Sequence, residues 1–393
     1  MQYLSRACLA GFCLALSCTA VAQAFKVFHQ PLPAAEMAAK LHPAYKHPDP
    51  VAGLSPQERE QMEEATASGS LQTLPFWQGS FSIENKEYHY SIVGGNPQDG
   101  GTTTIQTVII PIKLTFSDYS EDGKKPLVLD ATPLVPQILN SPIFRESDYL
   151  TGYQQFGDAM LRAEFPTAAS DWHTILQPVA GPTLDLTIPA GAAKLYRSTS
   201  GRVLAVILAD RFIDQPIARL LEEGTYAPNT YTIFVTYNSL EHDAFGYHTA
   251  GFRENQTEED VYAYTSWLNG VDDLLSIPSP DAATMSHEVA ETLHDAFLGK
   301  LSSVTLLWGD PFNHNRCFQR YIEVGDAVED APAKIQLHEQ VVGFGRHSRV
   351  YTLQNEALLQ WFERKTPSDA IAGAYSFPDI WVLPEAAPLT CVH

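Results

Sequence analysis

The chain has 393 residues and a formal net charge of −21 at pH 7, with 25 Lys+Arg against 46 Asp+Glu. Its hydrophobic content of 45% is that of a globular protein and argues against wholesale disorder. The acidic balance argues against a nucleic-acid binder, which needs a basic face to neutralise phosphates, and against docking on anionic lipid.

Arg6 is the only charged side chain before Lys26, residues 7–21 are almost wholly apolar, and Ala22-Gln23-Ala24 offers a small-residue cleavage site before Phe25. This is the pattern of a secretory signal peptide, so residues 1–24 are expected to be removed. The mature chain is then secreted or periplasmic and carries no membrane span. A lipoprotein cysteine at Cys18 is the competing reading, weakened by Ala15 where such a site carries Leu. Cleavage removes Cys8, Cys13 and Cys18 and leaves Cys317 and Cys391, two cysteines in an oxidising compartment, for which one disulfide is expected.

Residues 25–80 read as a loosely ordered arm punctuated by Pro31, Pro33, Pro43, Pro48 and Pro50. Within it Ser55-Pro56-Gln57-Glu58 starts a short helix to about residue 67, with Ser as N-cap, Pro at the first helical position and Glu at the third. Strands are predicted at 87–93 and 102–116, the second bent or at a sheet edge because Pro111 interrupts it. Helices are predicted at 131–139 and 153–165, strands at 184–188 and 203–208, a helix at 215–223 and a buried strand at 231–237. A helix over 281–297, an irregular stretch, a short strand near 321–324 and a last helix over 353–364 complete the series. The mixture predicts an α+β fold, a mixed sheet with packed helices, in one domain over 81–393.

The segment Ser286-His287-Glu288-Val289-Ala290-Glu291-Thr292-Leu293-His294-Asp295 lies in the 281–297 helix. At 3.6 residues per turn, His287 and Glu291 stand one turn apart on one face, the spacing by which a helix offers two ligands to one ion. Glu288 lies about 100° round from His287, placed to act on a water. The pattern is H-E-x-x-H with Glu in place of the second His, and a carboxylate oxygen is an accepted zinc ligand at about 2.0–2.2 Å. Asp295 lies about 12 Å of helix rise beyond His287. It and His294 are therefore expected to support the ligands or end the helix rather than share the ion. Downstream, Glu323-Val324-Gly325-Asp326 puts two carboxylates around a glycine bend. Upstream, Phe245-Gly246-Tyr247-His248 puts a histidine soon after a buried strand. Each has a bland counterpart: a solvated helix face, a surface acidic turn, a hydrogen-bonded structural histidine.

Taken together, Ser-His-Glu-x-Ala-Glu at 286–291, Asp295, Gly-Tyr-His at 246–248 and Glu-Val-Gly-Asp at 323–326 resemble a largely uncharacterised family of exported bacterial proteins. Val108-Ile109-Ile110-Pro111-Ile112-Lys113, Ser141-Pro142-Ile143-Phe144, Phe156-Gly157-Asp158-Ala159 and Asp171-Trp172-His173-Thr174 resemble the same family, so the likeness covers roughly residues 85–391. More distantly, the helix and the Glu-x-x-Asp segment are similar to the plant exordium-like, phosphate-induced secreted proteins. The helix is also similar to that of thermolysin-like zincin metallopeptidases, from which Glu291 departs. The resemblance implies export and a shared fold, with a zincin-like active-site helix, but no substrate.

The first expectation is a zinc-dependent, peptidase-like hydrolase acting on a peptide or cell-envelope substrate. His287, Glu291 and Glu323 would hold the ion, with Asp326 or His248 as alternates. Glu288 would take a proton from water and return it to the leaving amine, and Tyr247 or His248 would stabilise the oxyanion. The second is a non-catalytic envelope or extracellular binding protein. There the same residues hold a structural ion, calcium among the candidates, or form a buried polar network.

Overall fold

The computed structural model describes residues 26–27, 70–242, 244–253, 257–297, 306–313 and 317–387. The signal segment, the 55–67 helix and Cys391 lie outside them. The fold is α+β. Its frame is a sheet whose central strand, β3 (Thr102–Phe116), follows a hairpin of β1 (Phe76–Ile83) and β2 (Lys86–Val93). Residues 76–80, expected in the arm, therefore belong to a paired strand.

β4 (Leu127–Asp130) pairs antiparallel with the end of β3. Helix α1 (Phe156–Glu164) leads into β5 (His173–Ala180) and β6 (Leu184–Ile188), which lie parallel to successive halves of β3. The hairpin partners β7 (Ala193–Arg197) and β8 (Val203–Ile207) stand outside the main sheet, and helix α2 (Asp214–Glu222) covers one of its faces. β9 (Thr230–Tyr237) and β12 (Glu259–Trp267) continue the parallel run. Between them in sequence come the short β10 (Ser239–Glu241) and then β11 (Gly246–Phe252), which pairs antiparallel with β12 and closes that edge of the sheet. Helix α3 (Ala283–Asp295) packs on β11 and β12. The hairpins β13 (Leu306–Gly309) with β14 (Cys317–Arg320), and β15 (Leu337–Val342) with β16 (Arg349–Gln354), follow.

Both faces of the sheet are covered, which is why its strands read as nearly continuous apolar runs. Side chains alternate along a strand. Ile105, Ile109, Ile233, Val235, Val261 and Ala263 face α3, and Val108, Ile110, Phe234 and Tyr264 face Ile213, Ile217 and Leu221 near and on α2. Val289 and Leu293 anchor α3 in the first layer, and fully burying a side chain of this kind stabilises by about 1.5–3 kcal/mol.

Three expectations are corrected. Pro111 sits in the central strand, not an edge. It lies where β3 changes partners, from β9 to β4 and from β5 to β6, so its missing N–H falls in a gap of the ladders. The strand near residue 321 lies one step earlier, at β14, and residues 321–324 form an irregular turn. The last helix is one turn long, because residues 353–354 end β16 and Glu356–Ala357 form a further short strand. In β16, Tyr351 and Leu353 point inward at period two, and only Leu359–Phe362 makes a helical turn. No helix among the described residues is long and apolar enough to cross a membrane.

Candidate metal centre

All thirteen residues of α3 are buried. The helix is tied to β16 at one end and to α1 at the other. Ser286 Oγ accepts the backbone N–H of Gln354 on β16 at 2.9 Å and donates to the Ala283 carbonyl at 2.8 Å. Asp281 Oδ1 accepts the N–H of Thr352 at 2.9 Å. At the far end the His294 ring lies 2.7 Å from Glu164 Oε2 of α1, and Glu164 Oε1 accepts the N–H of Leu359 at 2.7 Å. His294 thus joins two helices and takes no part in the ligand cluster, as its place two turns from His287 requires.

The HExxE face meets two other segments. On β11, pairing of His248 with Ala263 and of Tyr247 with Tyr264 fixes the register. Gly246 and His248 face α3, and Tyr247 faces the other way. His248 Nδ1 lies 3.4 Å from Glu291 Oε2 and 3.5 Å from Glu288 Oε2. The second segment is the turn at 323–326. Glu291 Oε1 accepts the backbone N–H groups of Gly325 and Asp326 at 3.1 and 3.2 Å, which clamps the turn onto the helix. Gln354 Nε2 holds the Gly325 carbonyl at 2.8 Å from the opposite side. Glu291 Oε2 is left facing the two imidazoles, 3.0 Å from His287 Nε2. Asp326 Oδ1 lies 3.9 Å from the same nitrogen, and Glu323 Oε2 lies 4.0 Å from His248 Nε2.

Two glycines permit this convergence. A Cβ on Gly325 would stand 2.3 Å from His287 Nδ1, and one on Gly246 would stand 2.6 Å from Glu288 Oε1. A methyl group at either place would occupy the space of a ligand side chain.

A residue that no motif marked, Glu356, comes near enough for its charge to act on His287. Glu356 is fully buried, and the N–H of its neighbour Ala357 donates to the Val324 carbonyl at 2.8 Å, tying it to the turn. Neither carboxylate oxygen of Glu356 or of Glu288 has a hydrogen-bond partner, nor does Glu291 Oε2 or His248 Nδ1. The signal that could have found Glu356 is an acid set between the apolar Leu353 and the run Ala357-Leu358-Leu359.

Five carboxylates (Glu288, Glu291, Glu323, Asp326, Glu356) and two imidazoles (His248, His287) are thus all no more than 2% exposed. Burial alone would lower the His287 pKa, but Glu291, Glu288 and Glu356 hold it up to about 10. Burial is likewise outweighed at His248, where Glu288, Glu291 and Glu323 hold the ring well above its usual value. Burial pushes Glu288 up to about 7 against the pull of His248 and His287. At Glu291 the two histidines win over burial and hold the carboxyl well below the usual range. Burial leads at Glu356 and raises it well above that range.

Two triads of ligand atoms converge to within 4.8 Å: His248, Glu291 and Glu323, and His287, Glu288 and Glu291. These groups could hold a metal ion. Of the residues singled out in the sequence, His287, Glu288, Glu291, Glu323, Asp326 and His248 come together, though Glu323 falls beside His248 rather than His287. Tyr247 does not join them. Its hydroxyl donates to Asp214 Oδ1 at 2.6 Å in the opposite layer, where Asp210, Asp214 and Glu241 form an acidic group without a histidine. Asp295 ends the helix, and its carbonyl oxygen lies 3.3 Å from His248 Nε2.

Comparison with known proteins gives no match to a family model, to a curated protein or to a solved structure.

Proposed function

We propose that this chain is an exported, zinc-dependent hydrolase of peptidase-like chemistry built on the HExxE helix. The observation that carries the reading is the convergence, in one buried cluster, of two imidazoles with carboxylates, among which both oxygens of Glu288 and Oε2 of Glu291 accept no hydrogen bond. Isolated charges are not buried without a compensating partner, and a divalent cation supplies one. The imidazole donors suit zinc, whereas calcium takes oxygen ligands almost throughout. The ion, when bound, supplies Lewis-acid polarisation of a substrate carbonyl. His287 and Glu291 hold it from the helix, with Glu323, Asp326 and His248 closing round. Glu288 accepts a proton from water and passes it to the leaving amine, a task suited to a carboxyl tuned towards neutrality. His248, placed among the ligands, positions the ion rather than the oxyanion.

The complete burial of the cluster favours a second reading, a non-catalytic envelope or extracellular protein stiffened by a structural ion. Metal analysis of the purified chain and assays on peptide and ester panels separate the two. Bound zinc that survives Glu288→Gln, with hydrolysis lost in that variant, supports the hydrolase. Bound metal with no hydrolysis by the unaltered chain supports the structural ion. A chain that retains no divalent metal overturns both.

A further inference from the structure

The donors of the cluster divide into two sides. His248 lies with Glu323, and His287 lies with Asp326. The two histidines fall in different ligand triads, and Glu291 belongs to both. Its carboxylate is oriented for that position. Oε1 is fixed by the N–H groups of Gly325 and Asp326, which leaves Oε2 between the imidazoles, 3.0 Å from His287 Nε2 and 3.4 Å from His248 Nδ1.

A single four-coordinate ion needs four donors, and the cluster supplies more. One ion held by His287, Glu291, Glu323 and a further donor leaves Glu356 without a role. Yet Glu356 is fully buried with both oxygens unpartnered. A carboxyl buried in this state lacks the compensation that an adjacent cation would give its charged form. We propose that the site holds two divalent cations bridged by Glu291, one beside His248 and Glu323, the other beside His287, Asp326 and Glu356. This rests on the metal reading of the preceding section and extends it from one ion to two. Bridged two-metal sites place their ions about 3.5–4 Å apart. Glu291 Oε2, 3.0 Å from one imidazole and 3.4 Å from the other, is the atom such a pair would share. Two ions also compensate the buried carboxylates more completely than one. Glu288 lies 3.5 Å from His248 and within the His287 triad, so it faces both positions and remains the proton acceptor.

The test is metal stoichiometry on the full chain, stripped with a chelator, reloaded with Zn²⁺, desalted and analysed for zinc. Two ions per chain are expected, one in His248→Ala and one in His287→Ala. Glu356→Gln should lose only the ion beside His287. Glu291→Gln keeps the amide oxygen that accepts from Gly325 and Asp326 but removes the bridging oxygen, and it should retain neither ion tightly. Urea unfolding with an unchanged denaturant slope shows that each variant is folded. Loading with Mn²⁺ gives a readout free of mutation, because two bridged ions give an exchange-coupled magnetic-resonance spectrum. One zinc per chain, abolished by either histidine variant, overturns the two-ion centre and leaves the hydrolase proposal standing. Two ions that survive Glu291→Gln, or two uncoupled Mn²⁺ signals, overturn the bridge. No zinc at all overturns the metal reading itself.

Discussion

Replacing His294 by leucine should destabilise the protein strongly and leave the metal untouched. The ring is 2% exposed, with Nε2 2.7 Å from Glu164 Oε2 and Nδ1 2.6 Å from the Ala290 carbonyl. Both ring nitrogens face acceptors, which calls for the doubly protonated form. Burial alone would lower its pKa, but the charge and hydrogen bond of Glu164 raise it above the usual value. Leucine leaves Glu164 Oε2 buried with no partner, and breaking a buried pair in this way costs about 3–5 kcal/mol. In Glu164→Met with His294→Leu no charge is stranded. The remaining loss is the acceptor of the Leu359 N–H, worth about 1–3 kcal/mol. The double variant should therefore be more stable than His294→Leu alone. Because the folded pKa is raised, the contribution is fully present below the unfolded value of about 6.5 and is lost as pH rises through the folded one. Urea unfolding of the two variants and the unaltered chain, at pH 6 and at alkaline pH, measures this. A loss below about 1 kcal/mol at pH 6, or a double variant less stable than the single one, would refute the buried-pair argument. A fall in bound zinc would show that His294 supports the metal centre after all.

Gly325→Ala places a methyl group 2.3 Å from His287 Nδ1. Such overpacking should cost about 1–3 kcal/mol and displace the ring, with zinc content falling and the unfolding midpoint shifting together. Without an ion, His287 keeps its proton up to about pH 10 and Glu288 up to about pH 7. Metal must displace the His287 proton, so affinity should rise with pH, by up to about tenfold per unit for each proton released. Calorimetry in buffers of different ionisation enthalpy counts those protons, and an affinity that is flat from pH 6 to 9 contradicts the assignment. Cys317 and Cys391 should be bonded in exported protein. They lie 74 residues apart in sequence, and the chain-entropy model gives roughly 4 kcal/mol for such a loop. Two titratable thiols under denaturing, non-reducing conditions would contradict the bond.

Local periodicity carried a good part of this protein. The helical repeat of 3.6 residues puts His287 and Glu291 on one face whatever surrounds them, and α3 forms where that spacing and its apolar stripe indicate. The same holds for strands dense in β-branched residues, such as β6 and β9, whose bounds differ little from those read in the chain. Period two and period 3.6 overlap over short apolar runs, which is why the end of β16 at 353–354 reads as the start of a helix until Leu337 and His338 are there to pair with it. The other half of the metal centre is not local. His248 reaches the cluster because its register against β12 turns it, and not Tyr247, towards α3, and a slip of one residue would exchange them. Glu356 reaches it because Ala357 bonds to Val324, across a separation in sequence that no short-range pattern encodes. Spacing along one element fixed which donors share a face. Only the tertiary structure decided which faces meet, because that depends on strand register and on contacts between segments far apart in the chain.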